Sequence, residues 1–318
     1  MATDRRCTPL GKVLAGIGAA GFVAAAAAHV WARHIEIHLF EVREFELRIL
    51  PEGSGPVRIL HMSDAHMLPE QKKKRAFLRH LAALKPDLII NTGDNVASEA
   101  AIAPLLDDLA PLLQRPGAFV LGSNDKFAAG RRNLFRYLLP DPRPANYRER
   151  FEKPQLPVEE LVEGLASGGW KDLDNARALI QVSGADIELV GVDDPHLDHD
   201  EFPPPSATHR PRSGRTSIKI GVAHAPYRRV LDEFVEDGCD LILAGHTHGG
   251  QLAVPFFGAL VTNCDLHRSQ AKGVSLHRGV PLHVSAGLGA SPKYNMRFAC
   301  RPEVSVLTLR PRKTAPPA

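Results

Sequence analysis

Apolar positions along this chain recur with two different periods. Short apolar runs at Val57–Met62, Leu88–Ile90, Phe119–Leu121, Ile218–Val222 and Leu241–Ala244 each stop at polar or small residues, the pattern of buried strands. Between them, helical spacing runs over Ala76–Leu84, Ala100–Leu113, Val158–Leu165 and Tyr227–Phe234. Alternating strands and helices imply a layered α/β domain. Late runs at Leu282–Ser285 and Val304–Leu309, with few helices between them, predict a second sheet. Ile35–Ile49 alternates polar and apolar residues, as an edge strand or hairpin arm does, and the Gly- and Pro-rich stretch Pro51–Pro56 reads as a linker. There is no internal repeat.

The N-terminal pattern is different. Val13–Ala32 is twenty residues without a formal charge, enough for a helix to span about 30 Å of hydrocarbon, with Trp31 where an interfacial anchor sits. The expectation is an uncleaved membrane anchor. The alternatives are a signal peptide cleaved near Ala26-Ala27-Ala28, giving an exported domain, and an Ala-rich soluble helix. Arg5, Arg6 and Lys12 before the segment balance Arg33, Arg43 and Arg48 after it, so the charge rule for orientation is tied; the free N-terminus tips the expectation towards a catalytic domain outside. The chain then divides into an anchor or signal segment (1–34), an edge strand and linker (35–55), one large domain (56–311) and a tail (312–318).

Composition narrows the class without choosing a function. With 44% hydrophobic and 24% charged residues over 318 positions, the chain can bury a sizeable core. A net charge of +3 is too small to argue for nucleic acid. Cys7, Cys239, Cys264 and Cys300 make no disulfide framework and have no zinc-finger spacing.

The chemistry lies where the predicted strands stop. Val57–Met62 leads into Ser63-Asp64-Ala65-His66, and Leu88–Ile90 into Asn91-Thr92-Gly93-Asp94-Asn95. Phe119–Leu121 leads into Gly122-Ser123-Asn124-Asp125, Ile218–Val222 into Ala223-His224, and Leu241–Ala244 into Gly245-His246-Thr247-His248-Gly249-Gly250-Gln251. Open α/β sheets build their ligand sites at strand carboxyl ends. Asp64, His66, Asp94, Asn124, His224, His246 and His248 are seven candidate ligands, too many for one catalytic zinc with its three or so protein ligands. The inventory suits two divalent ions, and the mixture of carboxylate, amide oxygen and imidazole favours manganese, iron or zinc over magnesium.

In this order the five blocks resemble the calcineurin-like metallophosphoesterases, whose pattern is Asp-x-His, Gly-Asp, Gly-Asn-His, a lone His and Gly-His-x-His. The resemblance runs from about Pro56 to Leu309, and Gly249-Gly250-Gln251 is similar to the bacterial branch that carries an N-terminal membrane segment. It implies a two-sheet α/β/β/α sandwich. It also implies one metal on Asp64, His66 and His248, a second on Asn124, His224 and His246, and Asp94 bridging both. The implied reaction is hydrolysis of a phosphate ester by metal-bound hydroxide, without a covalent enzyme intermediate.

One block departs from the pattern. Read without a gap, Gly122-Ser123-Asn124-Asp125 puts Ser123 in the Asn slot and Asn124 in the His slot. Shifted by one, it keeps Asn124 as ligand and puts Asp125 in the His slot. The shifted reading is preferred because an amide oxygen is a better neutral ligand than a serine hydroxyl. Either way the histidine credited with protonating the leaving group is missing, which favours diester or pyrophosphate-type bonds over simple monoesters. Asp125 is then a ligand-orienting group or an acid, and Asn95 a group that orients a phosphate or a neighbouring ligand. Two inserts, the Arg-rich Arg131–Lys153 and the Pro- and His-rich Asp193–Arg215, read as solvated loops or as a rim for an anionic substrate or lipid, and Lys72-Lys73-Lys74-Arg75 could join that rim. His61 and His283, inside apolar runs, read as core residues, and His196 and His199 as residues of a polar loop. The expectation is a membrane-anchored, dinuclear phosphoesterase with a lipid- or envelope-linked phosphate substrate. Its rivals are a non-catalytic metal-stabilised membrane module and a phosphoprotein phosphatase.

Overall fold

The computed structural model describes residues 9–128, 155–205, 216–290 and 294–312, with side chains from Ala20 onwards. Helix α1 (Pro9–Val30) passes through a π-helical turn, Trp31–Ile35, and a 3-10 turn, Glu36–His38, into strand β1 (Glu41–Leu50). Strand β2 (Val57–Met62), helix α2 (Lys72–His80), β3 (Leu88–Asn91), α3 (Ile102–Leu113), β4 (Gly117–Phe119) and the short α4 (Ser123–Lys126) follow. Then come α5 (Val158–Ser167), β5 (Lys171–Asp172), β6 (Arg177–Val182), β7 (Ala185–Gly191), β8 (Thr216–Ala223), α6 (Arg228–Glu236) and β9 (Leu241–Ala244). A small hairpin, β10 (Ala253–Val254) with β11 (Gly258–Ala259), precedes β12 (Gly273–His277), β13 (Val280–Val284) and β14 (Glu303–Pro311).

Two six-stranded sheets result, in the orders β1-β14-β2-β3-β4-β5 and β12-β13-β9-β8-β7-β6. Strand alternation sorts the apolar side chains into layers. Ile59, Ile90, Ile187, Ile220 and Leu243 fill the space between the sheets. Leu60 and Ile89 face outward onto Leu78, Leu105, Leu109 and Leu161 of the first sheet's helices, and Ile242 faces Val230 and Phe234 of α6. The molecule is the expected α/β/β/α sandwich. Strands β2, β3, β4 and β5 are parallel, as are β7, β8, β9 and β13, so their carboxyl ends line one end of it.

Several expectations need correcting. Val304–Leu309 does not join the second sheet: β14 lies inside the first, parallel to β1 and antiparallel to β2, where both its apolar faces are covered. Helix α2 begins at Lys72 rather than Ala76, because its first turn is all Lys and Arg and carries no apolar period. Strand β4 ends at Phe119; Leu121 leaves the ladder and gives its N–H to Asp174 Oδ1 at 2.9 Å. Among the described residues no helix is long and apolar enough to cross a membrane. The side chains of the anchor's residues 13–19 lie outside the described residues, as do the arginines of Arg131–Lys153, residues 206–215 of the second insert, and the tail beyond Arg312.

Candidate metal centre

The loops that leave these strand ends turn sharply. Asp64, His66, Asp94, His246 and His248 all have positive φ, between 39° and 68°. Non-glycine residues rarely adopt such conformations, and they persist where the surrounding structure enforces them, commonly at functional sites. Gly122 is required for a steric reason: a Cβ there would stand 2.8 Å from His224 Cε1 and also strike the Asp94 carboxylate.

Six of the seven candidate side chains converge through atoms suited to metal binding. His66 Nε2 and His248 Nε2 are 3.1 Å apart, and Asp64 Oδ1 lies 4.0 and 3.6 Å from them. That oxygen is buried without a hydrogen-bond partner, so the pocket holds two imidazole nitrogens and an orphaned carboxylate oxygen. Opposite, His224 Nε2 approaches His246 Nδ1 at 3.2 Å. Asp94 Oδ2 lies between the clusters, 3.4 Å from His66 Nε2 and 3.5 Å from His224 Nε2. Asp64, His66 and His248 form one group able to hold an ion; Asp64, Asp94 and His224 form another. The seventh candidate, Asn124, turns its amide nitrogen to Asp94 Oδ2 at 2.7 Å, so turning the amide over would present its oxygen there instead. Orphaned or clustered donor atoms, all of ligating type, fit divalent cations well.

Residues 57–250, well over half of the chain, match the model of the calcineurin-like phosphoesterase family. The chain belongs to the calcineurin-like phosphoesterases. It is 25% identical to the uncharacterized metallophosphoesterase YkuE of Bacillus subtilis (strain 168) over 94% of this chain and 96% of that one. It is 27% identical to phosphodiesterase YaeI of Escherichia coli (strain K12), over 91% and 96% respectively. Among solved structures, the phosphopantetheinyl hydrolase of Mycobacterium tuberculosis covers 76% of this chain and 95% of its own, at 12% identity and a TM-score of 0.40. This calcineurin-like phosphoesterase is a metal-dependent phosphoric ester hydrolase.

Electrostatics prepares the donors unequally. Burial brings the His66 imidazole down to about 4, and burial with His66 and Arg297 holds His248 well below its ordinary value. Both are neutral near pH 7, the form that ligates. Burial opposes the ionisation of Asp94, yet His224 and His66 hold it well below the carboxylate range; in return Asp94 raises His224 well above its ordinary value, against burial. Burial raises Asp64 to about 6. His224 Nδ1 meets the Thr92 carbonyl at 2.7 Å, which leaves Nε2 facing Asp94.

The altered block takes a definite form. Among the described residues Ser123 Oγ meets the Asn124 amide at 3.4 Å, whereas Asn124 reaches Asp94 through both its backbone and side-chain nitrogens. Asp125 is buried, and its two oxygens accept from the backbone N–H groups of Asn95 (2.6 Å), Gly122 (3.1 Å) and Val96 (3.3 Å) and from the Asn95 amide (3.2 Å). It braces the Asp94 loop against the Asn124 loop, and an acid role finds no support in these contacts. Asn95 is likewise engaged, its oxygen accepting from Asn91 Nδ2 at 2.7 Å and its amide donating to Asp125. In the proposed lysine rim, Lys74 is buried with Nζ on the Ala65 carbonyl, and Arg75 pairs with Asp108 at 2.7 Å; only Lys72 and Lys73 are exposed.

Four neighbours of the centre escaped the sequence reading. The His196 ring packs 4.6 Å from His246, with Nδ1 at 3.2 Å from Tyr227 Oη, so His196 is no mere loop residue. Asp194 is fully buried and raised to about 7, by burial first. Both follow the carboxyl end of β7, the same strand-end signal as the other blocks. Asn263 lies against His246 Nε2 through its carbonyl, at 3.1 Å, and its amide, at 3.2 Å. Arg297 is fully buried, its Nη2 3.4 Å from His248 Nδ1, and it donates to the carbonyls of Ala286, Gly287 and Gly289. His61 and His283 are core residues as expected, joined Nδ1 to Nδ1 at 2.8 Å, but His61 Nε2 also touches Thr92 Oγ1 at 3.0 Å.

Proposed function

We propose that the chain is a dinuclear phosphoesterase that hydrolyses a phosphodiester or pyrophosphate-type bond. One ion would rest on Asp64, His66 and His248 and the other on Asn124, His224 and His246, with Asp94 shared. The observation that carries this reading is the central position of Asp94 Oδ2, within 3.5 Å of an imidazole nitrogen from each group. Two divalent cations there, manganese, iron or zinc, would acidify a shared water and draw charge from the phosphoryl oxygens. The chain's own residues set the stage. Asp94 supplies a carboxylate held ionised, His66 and His248 supply neutral imidazoles, Thr92 orients His224, and Asp125 fixes the loop spacing. The preference for diesters is supported by Asp125, whose oxygens accept from N–H groups and which burial raises only to about 6, so that near pH 7 it is mostly ionised and a poor proton donor for a departing alkoxide.

We place the phosphoesterase domain at 56–311 and read α1 as a membrane anchor rather than a cleaved signal, with the domain outside. The anchor makes a lipid- or envelope-linked phosphate substrate the favoured class.

The test is a series of phosphodiesters graded by leaving-group pKa, assayed with and without manganese. General acid catalysis is worth about 10²–10⁴-fold when an acid is well placed. Turnover that needs metal and falls steeply with rising leaving-group pKa, equally steeply in Asp125→Asn, supports the reading. A flat dependence that steepens in Asp125→Asn makes Asp125 the acid. No turnover in metal-replete protein favours the non-catalytic module.

A further inference from the structure

The segment between the last metal-centre histidine and Asn263 leaves the domain as an apolar hairpin. Leu252–Cys264 carries no charged residue, and Val254, Phe256, Phe257 and Leu260 are all exposed, Phe256 completely. Phe256 also has a φ of 67°, rare for a bulky residue, so its exposure is held by the backbone. Both feet of the hairpin stand on the metal centre. A Cβ on Gly250, two residues after His248, would lie 2.5 Å from Ala259 Cβ, and the returning chain brings Asn263 against His246.

The same end of the molecule receives helix α1. Strand β1 is antiparallel in direction to β2 and so begins at the end where β2, β3 and β4 stop. The foot of α1 is hydrogen-bonded there. Ala32 O accepts from Arg297 N at 3.0 Å, and the Glu36 carboxylate accepts from Cys300 N at 2.7 Å and Trp31 Nε1 at 2.8 Å. The next residue, Phe298, bonds the hairpin: Ala253 N to Phe298 O at 2.8 Å and Phe298 N to Gln251 O at 3.1 Å. Adjacent residues 297 and 298 therefore tie together the helix foot, with Val30, Trp31 and Ile35 exposed, and the hairpin base. Cations rim the same end. The Arg268 guanidinium lies 3.8 Å over the Phe257 ring, and α2, packed on Phe40 through Phe77, exposes Lys72 and Lys73 in its first turn.

We propose that the β10–β11 hairpin inserts Phe256 and Phe257 into the surface of an anionic phospholipid bilayer, beside helix α1, so that the metal centre opens onto lipid headgroups. The proposal rests on reading α1 as a membrane anchor. An exposed aromatic tip bordered by Arg and Lys has the chemistry of an interfacial element. An apolar patch contiguous with an apolar helix has a lipid surface as its simplest occupant.

The experiment places the full chain in vesicles of phosphatidylcholine and phosphatidylglycerol with brominated acyl chains, which quench nearby tryptophan. Phe256→Trp reports the hairpin and native Trp31 the helix foot. Glu52→Trp, in the turn after β1 at the opposite end of the sandwich, is the control. Strong quenching of Trp31 and of the tryptophan in Phe256→Trp, with none added in Glu52→Trp, is expected. If Trp31 is quenched but Phe256→Trp adds no more than Glu52→Trp, the hairpin proposal is overturned and the anchor stands. If nothing is quenched, the anchor reading fails and takes the proposal with it. If Phe256→Trp is shielded from aqueous iodide in detergent while the mass doubles, the patch binds a second copy, which also overturns the proposal.

Discussion

On one side of Asp94, His66 and His248 are backed by buried basic side chains, Arg297 at 3.4 Å from His248 and Lys74, which burial lowers to about 7, on the neighbouring Ala65 carbonyl. On the other side, His224 and His246 lean on a carbonyl, an amide and a ring, from Thr92, Asn263 and His196. The consequence is electrostatic. Burial and the nearby cations keep the first pair of imidazoles unprotonated, while Asp94 loads a proton onto His224. On the proposed two-ion reading, an ion entering the second half would have to displace that proton, and its affinity would fall as pH drops below the raised His224 value. In the first half, proton competition begins only below about 6, at Asp64. On that reading the first half is a prepared site and the second a conditional one.

Removing one ligand from each half is the strongest way to break the contrast. His248→Ala and His224→Ala should each lower diester turnover by more than the ~10–100-fold typical of second-shell changes. Their metal contents should differ, His224→Ala keeping about one ion per chain on Asp64, His66 and His248. Equal metal content in both variants would erase the distinction between the halves. A milder change is Asn263→Ala, which removes support from His246 alone. It should weaken the more weakly held ion by ~10–100-fold in a metal titration and leave the tighter one unmoved. It should also raise the pH at which the second ion is lost.

The smallest effect lies behind Thr92. Burial lowers His283 to about 3 and His61 well below its ordinary value. A base with a depressed folded value binds fewer protons folded than unfolded below pH 6.5, so its contribution to stability is complete above that pH and declines as pH falls. For His283 the loss is about 2 kcal/mol at pH 5. Urea unfolding of the chelator-treated protein should show a shallower fall from pH 7 to 5 in His283→Phe than in wild type. An unchanged slope would mean that the pair is not kept neutral.

Much of the metal centre was legible because its ligands come in local pairs. Asp64 with His66, and His246 with His248, sit directly after short apolar runs, so strand and chemistry are read together. The hidden residues lacked that context. Strands β6 and β7 are interrupted by Gln181, Asp186 and Glu188, and without β7 the pair Asp194 and His196 looked like loop polarity. Arg297 gave no local sign that it would be wholly buried, because the carbonyls it binds most closely are eight to eleven residues away in sequence. The placement of β14 between β1 and β2 rests on contacts across most of the chain, beyond the reach of local pattern. The sequence singles out Asp125, but its neighbours decide its role, and its hydrogen-bond partners are all N–H donors.

The central claim is that two ions share the Asp94 carboxylate, and elemental analysis of metal per folded chain tests it most directly. At pH 8 the wild type should carry two divalent ions per chain. Asp94→Asn, with an unchanged circular dichroism spectrum, should lose metal from both halves at once and fall below one. A wild type that saturates at a single ion, or an Asp94→Asn variant that still holds two, would contradict the account.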